Sequence, residues 1–174
     1  MRCRIFRTMD MSETAAAWHR VLSAFDDWIA YESTEFMPWT TYFSIDSLRD
    51  LTHQERVGWM TNMIDNVIPG RVDMCRAAGV ALEDFLPHMP DEAAIETVRS
   101  MIELNDRVEN TILSMSDTFS IMLEEYKEGG LDNIVGQLGD LADIEEDIRH
   151  HMGLYSEGFA RLKKLGLDVP SEME

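Results

Sequence analysis

An all-α, four-helix-type bundle with a long antiparallel C-terminal hairpin is the fold this sequence predicts, on three observations. Apolar residues recur at alternating steps of three and four along most of the 174-residue chain, the period of a helix face. Only five prolines occur, and they cluster where that period breaks. Strong helix-start signals stand ahead of several of the periodic segments.

The first helix is expected to start at Ser12, a good N-cap followed by Glu13 in the positively polarised first turn. Its seam reads Ala15, Trp18, Leu22, Phe25, Ile29, Glu32 and Phe36, widened by Val21 and Trp28. Pro38 should end it, because the residue before a proline is pushed out of the helical region. The connector Trp39-Thr40-Thr41-Tyr42-Phe43 is aromatic enough to pack down.

Ser44 can cap a short helical piece through Leu48 and Leu51. Thr52 with Glu55 three residues later forms a capping box for the next helix. Its apolar side holds Val57, Met60, Ile64 and Val67, with His53 on the same track. Pro69-Gly70 should kink or break it before a further piece carrying Val72, Cys75 and Ala78. Leu86-Pro87-His88-Met89-Pro90 reads as a linker.

Asp91 caps the third long helix, expected over 91–127, with the stripe Ile95, Val98, Ile102, Asn105, Val108, Ile112, Met115, Phe119, Met122 and Tyr126. Gly129 is placed to take the left-handed conformation that closes it. The fourth helix is expected from Leu131 to Leu165, with Gly166 as its stop and Glu145 in its seam. Both arms repeat near 3.5 residues, which favours left-handed coiled packing. So short a connection folds them back on each other. The remaining helices must supply the other walls, and a protruding hairpin would offer a homodimer surface. Three units result: a basic arm at 1–11 with Arg2, Arg4 and Arg7, a helical domain at 12–166, and an acidic tail at 167–174.

The formal charge of −18, from 33 acids against 15 bases, disfavours binding to a nucleic-acid backbone or an anionic membrane surface. No apolar run approaches the roughly 18 residues that span a bilayer. Cys3 and Cys75 are the only cysteines and read as free thiols, which fits a reducing cytoplasm.

The seams carry one polar residue each: Glu32, His53, Asn105 and Glu145. Inward carboxylates and histidines on facing helices are how bundles hold two iron or manganese ions, with Glu-x-x-His on two of the helices. The motif is absent here; the nearest match is Asp147-x-x-His150. A structural reading is therefore preferred. Glu32 and His53 fall near helix ends, Asn105 sets register, and Glu145 pairs with Arg149 one turn later. Whether Glu32, His53 and Glu145 converge on a metal is left for the structure. The acidic run Asp140, Asp143, Glu146 and Asp147 with His150 and His151 reads as a solvated face.

No nucleophile elbow or phosphate-binding glycine loop occurs, so no catalytic or cofactor-binding residue is assigned. Cys75 would be reactive only if Arg71 or Arg76 lowered its pKa. Thirteen methionines read mainly as core, though methionine grooves can also dock helices. The functional expectation is a cytoplasmic, homodimeric protein–protein interaction module of regulatory, adaptor or chaperone-like type. Its expected partner is basic or an amphipathic helix. The alternatives are a metal-binding bundle oxidoreductase and an acidic mimic that occupies a nucleic-acid-binding protein.

Overall fold

The computed structural model describes the backbone over residues 3–166 and side chains from residue 13 onward; the expected acidic tail lies outside the described residues. The chain is helical almost throughout. Its elements are α1 (Cys3–Tyr31), α2 (Ile45–Arg49), α3 (His53–Asn62), α4 (Ile68–Phe85), α5 (Glu92–Gly129) and α6 (Val135–Lys164). A π-helical turn at Glu32–Phe36 prolongs α1, and another at Met63–Val67 joins α3 to α4 in one rod. Four rods result, each antiparallel to the next. Pairings such as Glu32 with Arg71, Asn105 with Cys75 and Asn105 with Tyr155 fix the register.

The fourth side, between α1 and α6, is closed by large rings rather than by close backbones. Trp18 and Phe25 meet Phe159 edge-on at 5.9 and 5.0 Å, and Phe25 and Trp28 meet Tyr155 at 5.0 and 5.8 Å. Such edge-to-face contacts add to the area the rings bury. The bundle is thus an up-down-up-down arrangement around one core.

Local chemistry explains most boundaries. Ser44 accepts from the Ser47 amide at the start of α2. The Thr52–Glu55 capping box is complete in both directions, at 3.1 and 2.8 Å. Asp91 accepts from the Ala94 amide at the head of α5. Gly166 turns out of α6 with φ 97°, as a stop glycine should.

Four expectations need correction. Helix α1 begins at Cys3, so Ser12 lies inside it; nothing between Cys3 and Ser12 is a glycine or proline that would break the helix. Its buried face is Ala17, Trp18, Val21, Phe25 and Trp28, while Ala15 is exposed and Leu22 and Ile29 are only half-buried. At Pro69 the rod does not break. The preceding π turn bonds the Ile68 amide to the Met63 carbonyl, absorbing the bond that proline cannot make. At the hairpin, Gly130 rather than Gly129 takes the positive φ (74°), and a short 3-10 turn at Leu131–Asn133 precedes α6.

The hairpin does not protrude. Helix α5 spans 38 residues, about 57 Å at 1.5 Å per residue. Its stripe is buried from Ala94 to Tyr126, and that of α6 from Leu138 to Leu162. The first two rods cover that seam within the same chain. Among the described residues no helix is long and apolar enough to cross a membrane.

Candidate functional site: a buried arginine between two glutamates

Two of the seam residues meet at the centre of the bundle, on a residue that the sequence reading named only as a neighbour of Cys75. Arg71 on α4 is fully buried. Its Nε donates to Glu32 Oε1 at 2.7 Å and its Nη2 to Glu32 Oε2 at 3.0 Å. On the other side, Nη1 donates to Glu145 Oε2 at 2.9 Å and Nη2 reaches Glu145 Oε1 at 3.4 Å. The remaining donor direction of Nη1 is met by Met115 Sδ on α5 at 3.9 Å. A guanidinium has five N–H donors in a rigid plane, and all five have an acceptor here. Phe36 closes the face of that plane, its ring centre 3.7 Å from Cζ.

The carboxylates have further partners. Trp28 donates its indole N–H to Glu32 Oε1 at 2.9 Å, and Arg149 donates from Nε to Glu145 Oε1 at 2.9 Å. The cluster therefore holds two cations and two anions and draws on all four rods. Burial opposes the charge on Arg71, but Glu32 and Glu145 outweigh it and hold its pKa above the ordinary value. Glu145 thus faces inward and pairs with Arg149 at once.

The two π turns deliver this geometry. Glu32 opens the first and Arg71 lies one turn beyond the second. Tyr31 ties them together by donating its hydroxyl to the Val67 carbonyl at 2.7 Å. Gly70 makes room for that hydroxyl, because a Cβ there would collide with the Tyr31 ring and oxygen.

Asn105 forms a second, uncharged layer. Its Nδ2 donates to the Cys75 carbonyl and to Tyr155 Oη, both at 3.1 Å, while the Cys75 thiol points back at the Asn105 carbonyl at 3.7 Å. Gly79 lets α4 approach, since a Cβ there would strike Asn105 Oδ1. Burial pushes the Cys75 thiol up to about 12, against an ordinary value of 9.0. Burial likewise raises Tyr155. Neither neighbouring arginine activates the thiol: Arg71 is held by the glutamates and Arg76 pairs with Glu109.

His53 is not part of either layer. It opens α3, about 27 Å along the rod from Arg71 at 1.5 Å per residue. Its ring stacks on Tyr126 at 5.4 Å, with Nδ1 3.0 Å from the hydroxyl. Arg56 also donates to that hydroxyl, at 3.4 Å. Arg56 in addition ties down the Leu48 and Arg49 carbonyls at the end of α2.

Glu32, His53 and Glu145 do not converge. Among the described residues no group of three or more His, Cys, Asp or Glu side chains is placed to hold a metal ion. The acidic run on α6 is exposed; Asp147 meets His151 at 3.3 Å across one turn. Met60, Met63, Met101, Met115 and Met122 are buried in the core, so they do not form an open docking groove.

Arg71 did leave a trace in the sequence. Val67, Arg71, Cys75, Ala78 and Leu82 run in steps of four, four, three and four, the period of a buried face. What the arrangement provides is a neutralised cross-link between rods. Compared with known proteins, the chain matches no family model, no curated protein sequence and no solved structure.

Proposed function

We propose that this chain is a non-enzymatic protein–protein interaction module whose partner is basic. One observation carries the reading: among the described residues the buried ionisable side chains Arg71, Glu145, Cys75, Tyr126 and Tyr155 are all engaged inside the fold, which leaves none of them free as an acid, base or nucleophile. The remaining chemical character lies on an exterior with a net charge of −18, which steers cationic partners toward it. Self-association would use outer faces, such as the one bearing Leu113 and Ile121 on α5, because the seams are closed within one chain.

The metal-bridged oxidoreductase reading loses support, since Arg71 and Arg149 already occupy two of the carboxylates it required, Glu32 and Glu145. The test is sedimentation of the purified chain together with reconstitution of any captured partner at low and high salt. Salt-sensitive association with a basic protein is the expected result. A monomer that reconstitutes with no protein would overturn the proposal.

A further inference from the structure

An aromatic cleft lies at the end of the bundle where α3 begins. It has a volume of about 300 Å³ and is lined by Trp39, Tyr42, Leu51, Glu55, Gly58, Trp59 and Asn62. The Tyr42 ring stands at 63° to Trp59 with centres 5.7 Å apart, and Trp39 lies 6.4 Å from Tyr42 at 36°. Trp59 is anchored from behind, edge-on to Phe119 at 5.3 Å. Trp39 and Tyr42 are only half-buried, so the core does not use all of their surface.

One carboxylate borders these rings. Glu55 is exposed, and its Oε2 is held by the Thr52 amide at 2.8 Å. That bond fixes the side chain in place, and among the described residues no donor meets Oε1. Gly58 opens the floor, since a Cβ there would meet nothing within 4 Å. Aromatic faces attract cations through the negative potential of the ring, and a fixed carboxylate beside them adds a charged acceptor. The guanidinium of arginine suits both, because it is planar, stacks on rings and donates in its own plane. The chain already shows this chemistry internally, with Arg71 over Phe36 and forked onto glutamates.

We propose that the cleft of Trp39, Tyr42, Trp59 and Glu55 binds an arginine side chain presented by a partner protein. This rests on the interaction-module reading above and names the chemistry that the partner brings. The net charge of −18 complements such a ligand. A neutral side chain would gain no charge attraction from Glu55, and an anionic one would be repelled by it.

The experiment follows the four tryptophan indole N–H signals by NMR while the chain is titrated with a short capped peptide containing one arginine. The control peptide carries citrulline, which has the same shape without the charge. Saturable shifts of the Trp39 and Trp59 signals are expected, with Trp18 and Trp28 unmoved. The citrulline peptide should bind at least about fivefold more weakly, and Trp39→Ala should weaken arginine binding about tenfold.

Glu55→Gln should weaken it about threefold while keeping the cap, since glutamine serves equally at that position of a capping box. This exposed variant keeps the test decisive if Trp39→Ala does not fold. Equal binding of the two peptides, shifts spread over all four indoles, or unchanged affinity in Glu55→Gln would each overturn the proposal. If neither peptide binds but a basic partner still reconstitutes, the cleft assignment fails alone. If the arginine peptide binds and no protein partner reconstitutes, the module reading fails instead.

Discussion

The Arg71 layer and the Asn105 layer are two solutions to one problem, a polar group inside an apolar bundle. At Arg71 the group is a charge. It needs two carboxylates, a sulfur and a ring face, drawn from all four rods. At Asn105 the group is a neutral amide, and one carbonyl and one phenol on two neighbouring rods meet its Nδ2. The desolvation of a charge is several times that of an amide. The charged layer therefore ties together more of the fold, and its removal should cost more. A cation with fixed acceptors on two sides also specifies which rods face each other more narrowly than an amide does.

The largest effect that tests this contrast is expected from Arg71→Met. It leaves Glu32 and Glu145 facing each other without their cation, and urea unfolding should show a loss of about 3–5 kcal/mol. The double variant Arg71→Met/Glu32→Gln should recover much of that loss, because Glu145 keeps Arg149 and no buried carboxylate is left without a cation. If the double variant were less stable than the single one, the layer would be contributing net pairing energy instead.

In the neutral layer, Asn105→Ala strips a donor from both the Cys75 carbonyl and Tyr155. A loss of about 1–3 kcal/mol is expected by the same measurement. Gly79→Ala should fall in a similar range of about 1–3 kcal/mol, by driving a methyl group into Asn105. A loss at Asn105 as large as that at Arg71 would erase the distinction between the layers.

Thr52→Ala sits outside both layers and removes only the cap of α3. About 1 kcal/mol is expected from thermal unfolding, which gives a baseline for an exposed hydrogen-bonding change. The smallest effect at neutral pH concerns Cys75. Its thiol should resist alkylation at about pH 8 in the folded chain and react once the chain is unfolded, as peptide mapping would show. Its pKa is raised on folding, so the folded state holds the proton more tightly. The stabilisation is complete below the unfolded value near 9.0 and drains away as pH climbs toward about 12. A Cys75→Ala variant should lose that part of the alkaline dependence.

Much of the architecture was legible beforehand. The caps at Ser44, Thr52 and Asp91 are local hydrogen-bonding patterns, and each appears where the sequence put it. The stripe of α5 was read correctly from Asn105 to Tyr126, because a long amphipathic helix repeats its signal over many turns. Nearer its start Ile95 and Ile102 are only half-buried, and Ala94, Thr97, Met101 and Leu104 share the buried face. Helix α1 was less legible. Apolar residues occur around more of its circumference, so the buried face could not be told from its flanks. The continuity through Pro69 was hidden too, since a π turn leaves no compositional mark.

The candidate site was half legible. Glu32 and Glu145 could be flagged because an acid in a seam is conspicuous. Arg71 could not be assigned to them, because its partners lie 39 and 74 positions away in the chain. Asn105 was marked as a register-setting amide, but its partners Cys75, Gly79 and Tyr155 appear only in three dimensions.

The sequence by itself determined that the chain forms long helices, where most of them start and stop, and that Glu32, Asn105 and Glu145 interrupt apolar seams. Those properties follow from local periodicity and capping, which act over a few residues. Only the tertiary structure decided that Glu32 and Glu145 share Arg71, that His53 stands apart from them, and that the hairpin is covered rather than bare. Those outcomes depend on how rods rotate and slide against each other, and that is fixed by the combined shape and charge of four faces.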